Sequence, residues 1–183
     1  MASRFALAAA FILVTLTPTL TSAQDSKSGE LAKQLAQLLD AKKMESVAVA
    51  DAQNPGTFFA ALYFPGTQLI VVSAKYSAPA ALTDLIGRKD YRGVYTELAS
   101  ASIPESKLFV MDTYADGLTF KPSGQNAPDS VDSGKNHATF DGEWKKAKIS
   151  EADYTKMFAD SDAAYARVLQ GLINSLKSSG TLD

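Results

Sequence analysis

Residues 57–74 read TFFAALYFPGTQLIVVSA, and this stretch decides the fold. Pro65-Gly66 is a turn signal between two apolar runs, Thr57–Phe64 and Thr67–Ala74, both rich in β-branched or aromatic residues. Two such runs joined by Pro-Gly predict a β-hairpin. Their apolar residues do not alternate with polar ones, as they would in a strand with one wet face. Both faces of the hairpin are therefore expected to be covered, which places it at the centre of the fold.

Upstream, Val47-Ala48-Val49-Ala50 predicts a short strand ending at Asp51, followed by a turn through Asn54, Pro55 and Gly56. Ahead of that strand, Leu31, Leu35, Leu38 and Leu39 share one side of a helix, with Glu30, Lys33, Gln34, Gln37 and Lys42 opposite. This spacing predicts an amphipathic helix that Ser28 can cap and that ends near Lys43. Downstream, Pro79 to Arg88 predicts a short helix burying Leu82, Leu85 and Ile86, with Ser77 as its cap. Tyr91–Leu98 reads as a strand or as a continuation of that helix, and Lys107–Tyr114 as a strand.

Residues 115–137 are rich in Gly, Pro, Ser, Asn and Asp and read as a long surface loop, with a last short strand or turn at Ala138–Trp144. Ser150 with Asp153 forms a capping-box-like start. The helix that follows carries Tyr154, Met157, Phe158, Tyr165, Val168, Leu169, Leu172, Ile173 and Leu176 on one stripe. The expected architecture is a single α+β domain over residues 24–183. It has a mostly antiparallel sheet or small split barrel, with an N-terminal and a long C-terminal helix packed on it.

The first residues predict export. Arg4 precedes an apolar run from Phe5 to Leu16, a polar stretch with Pro18 follows, and Thr21 and Ala23 set up cleavage before Gln24. That run is shorter than the ~20 residues that cross a bilayer. Residues 1–23 therefore read as a signal peptide, and the mature protein as periplasmic or extracellular. No cysteine occurs, so neither a lipid-bearing thiol nor a disulfide is available. Cleavage would remove one basic residue, leaving 17 against 20 acidic residues and a formal charge of −3. That balance offers no nucleic-acid footprint. About 160 residues are enough for one sizeable core.

Composition also bounds the chemistry. Without cysteine, thiol nucleophiles, thiolate zinc and iron–sulfur clusters are excluded, and a single histidine, His137, excludes a multi-histidine zinc site. No dinucleotide fingerprint and no P-loop is present. Asp129, Asp132, Asp141 and Glu143 cluster around His137, but an EF-hand begun at Asp129 would place Phe140 at the bidentate position. One begun at Asp132 would place Gly134 at a ligand position. These acids are expected to be solvated. His137 lies near Ser133 in sequence, yet no Gly-x-Ser-x-Gly elbow accompanies them, and an ordinary surface histidine is expected. The aromatics Phe58, Phe59, Tyr63, Phe64, Tyr76, Tyr91 and Tyr95 read mainly as core, and Trp144 as packing for the last helix.

The order of elements resembles the FMN-binding split-barrel family, the pyridoxamine-phosphate-oxidase-like proteins, over residues 30–120. The resemblance rests on Ser46-Val47-Ala48-Val49-Ala50-Asp51, on Phe64-Pro65-Gly66-Thr67 and on Ser73-Ala74-Lys75. It implies a flavin- or haem-type cofactor, with Lys75, Tyr76 and Arg88 on the cofactor side and Lys75 at the flavin phosphate. The family's next helix usually opens with Lys or Arg and carries Asn before Leu, whereas this chain has Pro79-Ala80-Ala81-Leu82. The expectation is therefore a cofactor-free relative, a non-enzymatic exported domain. It would bind a small-molecule ligand or a partner through the aromatic hairpin and the 115–143 stretch. The alternative is an FMN-binding oxidoreductase.

Overall fold

The computed structural model describes residues 26–75, 107–134 and 136–179. These build α1 (Gly29–Ala41), β1 (Ser46–Ala50), β2 (Phe58–Phe64), β3 (Leu69–Lys75), β4 (Leu108–Asp112), β5 (Asp129–Ser133), β6 (Asn136–Phe140) and α2 (Glu151–Ser178). The six strands form one antiparallel sheet in sequence order. Among the described residues its ends, β1 and β6, do not pair with each other, so the α+β architecture there is an open sheet and not a closed barrel.

The hairpin pairs Phe64 with Leu69 across its turn, and every residue of β3 is buried. Successive side chains of a strand point to opposite faces. Phe59, Ala61, Tyr63, Ile70, Val72 and Ala74 therefore join α1 and α2 in the main core. Ala60, Leu62, Leu69 and Val71 join Phe109 and Met111 of β4 in a second buried cluster on the other face. Burial on both faces explains the missing alternation in the hairpin sequence.

α1 contributes Ala32, Leu35, Ala36 and Leu39 to the core. α2 buries Tyr154, Phe158, Tyr165, Val168, Leu169, Leu172, Ile173 and Leu176. Each large apolar side chain contributes about 1.5–3 kcal/mol when fully buried. Phe120, Phe140, Tyr154 and Phe158 meet edge to face, with centroids 4.9–5.7 Å apart. Ser150 caps α2 by accepting from the Asp153 amide and donating to its carboxylate.

Two expectations need correction. The stretch 115–137 is not one loop, because it contains β5 and the start of β6; the irregular part spans residues 113–128. β5 has the polar sequence Asp-Ser-Val-Asp-Ser, which carries no strand signal. It holds because Val131 reaches the core while Asp129 and Asp132 find donors. As expected, a short last strand, here ending at Phe140, gives way to a turn in which Trp144 packs half-buried, 6.4 Å from the Tyr154 ring of the last helix. Ser28 occupies the N-cap position of α1 but makes no capping bond, its hydroxyl being used elsewhere. The expected signal peptide, the 79–88 helix and the 91–98 element lie outside the described residues.

Candidate functional site

Three buried carboxylates organise one end of the domain. Asp112, the last residue of β4, accepts at Oδ1 from the amides of Tyr114 (3.4 Å) and Asp116 (3.2 Å). Its Oδ2 accepts from the Gly117 amide (2.9 Å) and the Tyr165 hydroxyl (3.0 Å). Asp129, at the start of β5, accepts from the amides and hydroxyls of Thr113 and Thr119. Asp162 of α2 accepts from Ser26, from the Lys27 and Ser28 amides and from the Ser28 hydroxyl, whose oxygen accepts from the Leu118 amide. Backbone donors of an irregular segment must be paired when buried, and here side-chain carboxylates pair them.

This network carries an electrostatic cost. Burial, and then the neighbouring Asp129 carboxylate, push Asp112 up to about 7. Burial likewise raises Asp129, against the bonds it accepts from Thr113 and Thr119. Tyr165 is held far above the ordinary phenol value by burial and by the Asp112 charge. The segment is also tightly threaded. Gly117 has φ +83, and a Cβ there would stand 2.4 Å from the Gly29 amide nitrogen. Ala115 takes a left-handed φ of 52.

The segment so fixed forms one wall of a cleft of about 450 Å³ beside α1. α1 supplies Lys33, Gln37 and Asp40; the hairpin supplies Tyr63 and Gln68; the 113–128 segment supplies Tyr114, Asp116 and Asn126. Tyr63 donates to Asp40 Oδ2 at 3.2 Å, and the Tyr114 oxygen accepts from the Ala127 amide at 3.4 Å, so both rings are anchored at their hydroxyls. Tyr114 is 36% exposed. Burial raises Asp116, partly offset by Lys33. The lining thus offers two carboxylates against one lysine, two tyrosines and several amides, held by three different elements.

Two other cavities flank α2. One, about 530 Å³, lies over β1 and β2, where Arg167 donates to Asp51 Oδ2 at 3.0 Å and sits 5.1 Å from the Phe59 ring centroid. Burial opposes ionisation of Asp51, but hydrogen bonds from Asn54, the Gln53 amide and Arg167 outweigh it and lower its pKa. The other, about 520 Å³, lies between α2 and the β4–β6 strands and is bordered by His137.

The residues named from sequence fall in different places. Lys75 ends β3, buried and opposite Phe58, and makes interactions of its own. Tyr76 and Arg88 lie outside the described residues, as do Tyr91 and Tyr95. Phe59 and Tyr63 are core residues, with Phe58 and Phe64 half-buried. His137 meets Asp132 and Thr139 rather than Ser133. Asp129 and Asp132 are not solvated loop acids, because both are buried and bonded. Among the described residues no group of three or more His, Asp and Glu could hold a metal. The Asp112–Asp129–Asp162 network was missed in the sequence. Its one visible signal is an aspartate closing the apolar run Leu108-Phe109-Val110-Met111.

Comparisons with known protein families, with curated proteins and with solved structures find no match for this chain.

Proposed function

We propose that the chain is an exported domain that binds a small polar ligand bearing an ammonium group in the α1 cleft, without transforming it there. The observation that carries this reading is the convergence of Tyr63, Tyr114, Asp40 and Asp116 from three elements on one cavity. Carboxylates attract a cation, and an accessible tyrosine face adds cation–π attraction of about 0.5–2 kcal/mol. The carboxylates that hold the wall are saturated by donors of their own segment, so they serve geometry rather than chemistry. A pre-ordered wall spares the ligand the entropy of ordering it.

Thermal melting of the mature domain with benzylamine and with benzoate tests this. Benzylamine is expected to raise the midpoint through preferential binding to the folded state, and benzoate to leave it unchanged. A rise with benzoate alone would overturn the assignment. The flavin alternative has its own readout: FMN fluorescence quenched by the protein, and restored by Lys75→Ala, would replace this reading.

A further inference from the structure

The β5–β6 hairpin sets Asp132 directly opposite His137, and Thr139 follows two residues later on the same face of β6. The result is a chain of three polar side chains. Asp132 Oδ1 lies 2.7 Å from His137 Nδ1, and His137 Nε2 lies 3.2 Å from Thr139 Oγ1. Asp132 is buried, whereas His137 and Thr139 are open to solvent. A buried carboxylate on Nδ1 fixes the proton there and leaves the Nε2 lone pair facing the hydroxyl, the orientation a general base needs.

The backbone adds a second element. Ser133 pairs with Asn136 at the hairpin end, so the bonded pairs of the ladder are Ser133–Asn136, Val131–Ala138 and Asp129–Phe140. The amides of His137 and Thr139 then point to the outer edge of β6, where no described strand pairs. A hydroxyl nucleophile whose own amide is available can stabilise the oxyanion that forms upon its attack. Val131 and Ala138 point toward α2 and the cavity of about 520 Å³, so the His137 and Thr139 side chains lie on the opposite, solvent-facing side of the hairpin.

We propose that Thr139, His137 and Asp132 form a hydroxyl–imidazole–carboxylate relay that hydrolyses small carboxylic esters, an activity separate from the α1 cleft. Thr139 Oγ adds to the ester carbonyl carbon while its proton passes to His137 Nε2. The imidazolium returns that proton to the departing alkoxide as the ester C–O bond breaks, leaving an acyl-threonine. Water then attacks the acyl carbon, gives a proton to His137 and releases the carboxylic acid, and Thr139 recovers its proton. Thr139 and His137 are the catalytic residues, and Asp132 is a positioning residue.

The test is turnover of p-nitrophenyl acetate by the mature domain, with peptide mass mapping of the quenched protein. An acetyl group on Thr139 is expected, together with a loss of about a hundredfold in kcat/KM for Thr139→Ala and retained activity for Thr139→Ser. Asp132→Asn is expected to lower kcat with little change in KM, and Asp132→Glu to recover part of the loss, since the carboxylate orients the imidazole without touching the ester. Circular dichroism confirms that each variant folds, and His137→Gln provides a second loss-of-base variant. Turnover that survives Thr139→Ala, or acetyl found only on His137 or lysines, would overturn the proposal.

Discussion

Asp51 follows the apolar strand β1 and Asp112 ends the apolar strand β4, and each accepts the amide two residues further on. Their surroundings nevertheless send the carboxyl groups in opposite directions. Asp51 meets the Arg167 guanidinium and stays ionised more readily than usual. Asp112 is fully buried, faces Asp129 instead of a cation, and holds its proton up to about 7. The same local motif, an aspartate catching the loop that leaves a strand, is an ion pair at one corner. At the other it is a buried proton store that shapes the cleft wall.

The largest contrast should come from the two loops these aspartates hold, each with a left-handed glycine. At Gly117 an added Cβ meets the Gly29 backbone at 2.4 Å, whereas at Gly56, with φ +80, it meets nothing within 4 Å. Gly117→Ala is expected to cost on the order of 4 kcal/mol or to prevent folding, since neither backbone can yield cheaply. Gly56→Ala is expected to cost only about 1–2 kcal/mol, the penalty of the left-handed conformation. Urea denaturation measures both, and equal losses would remove the distinction between a threaded and an open loop.

The pH dependence of stability should separate the corners next. Because Asp112 is raised from 3.8 to about 7, the folded state binds more protons than the unfolded chain between those values. Its contribution is therefore complete below about pH 4 and is lost as the pH rises to about 7, by roughly 2–4 kcal/mol. Asp129 is raised too and acts in the same direction. Asp51, being lowered, acts oppositely: its contribution is present above about pH 4 and fades as the medium becomes more acid. The melting temperature is expected to fall between pH 4 and 7, and Asp112→Asn to flatten that fall. A wild-type curve that rises over this window would contradict the assignment.

The smallest effect belongs to the Asp51 corner. Arg167→Ala is expected to cost about 1 kcal/mol, because the guanidinium is partly exposed and its ion pair and ring contact are screened. It should also reduce the acid-side loss of stability, measured as the melting temperature at pH 3.5 against pH 6. A larger cost than that of Asp112→Ala would invert the ranking of the two sites.

Much of the scaffold was legible because hydrophobic burial writes itself into spacing. The leucines of α1 and the stripe of α2 repeat at the helical period, and the two unbroken apolar runs around Pro65-Gly66 mark strands buried on both faces. β5 was not legible, since Asp129 and Asp132 are buried by hydrogen bonds from partners far away or across a turn, which leave no periodic trace. The cleft was half visible. Its hairpin wall was expected from aromatic content, but Asp40 and Lys33 look like the solvated face of an amphipathic helix until the 113–128 segment is laid beside them. Ser28 shows the same gap, for a serine before a helix reads as a cap, while its hydroxyl in fact links α2 to Leu118.

Whether the α1 cleft holds an organic ammonium is decided most directly by an amide-resolved NMR titration of the mature domain with benzylamine. Shift changes are expected at Tyr63, Tyr114, Ala115 and Asp116, with affinity lowered roughly fivefold in Tyr114→Ala, the loss of one cation–π contact of about 1 kcal/mol. Saturating benzylamine that moves no cleft amide, or moves them equally in Tyr114→Ala, would contradict it.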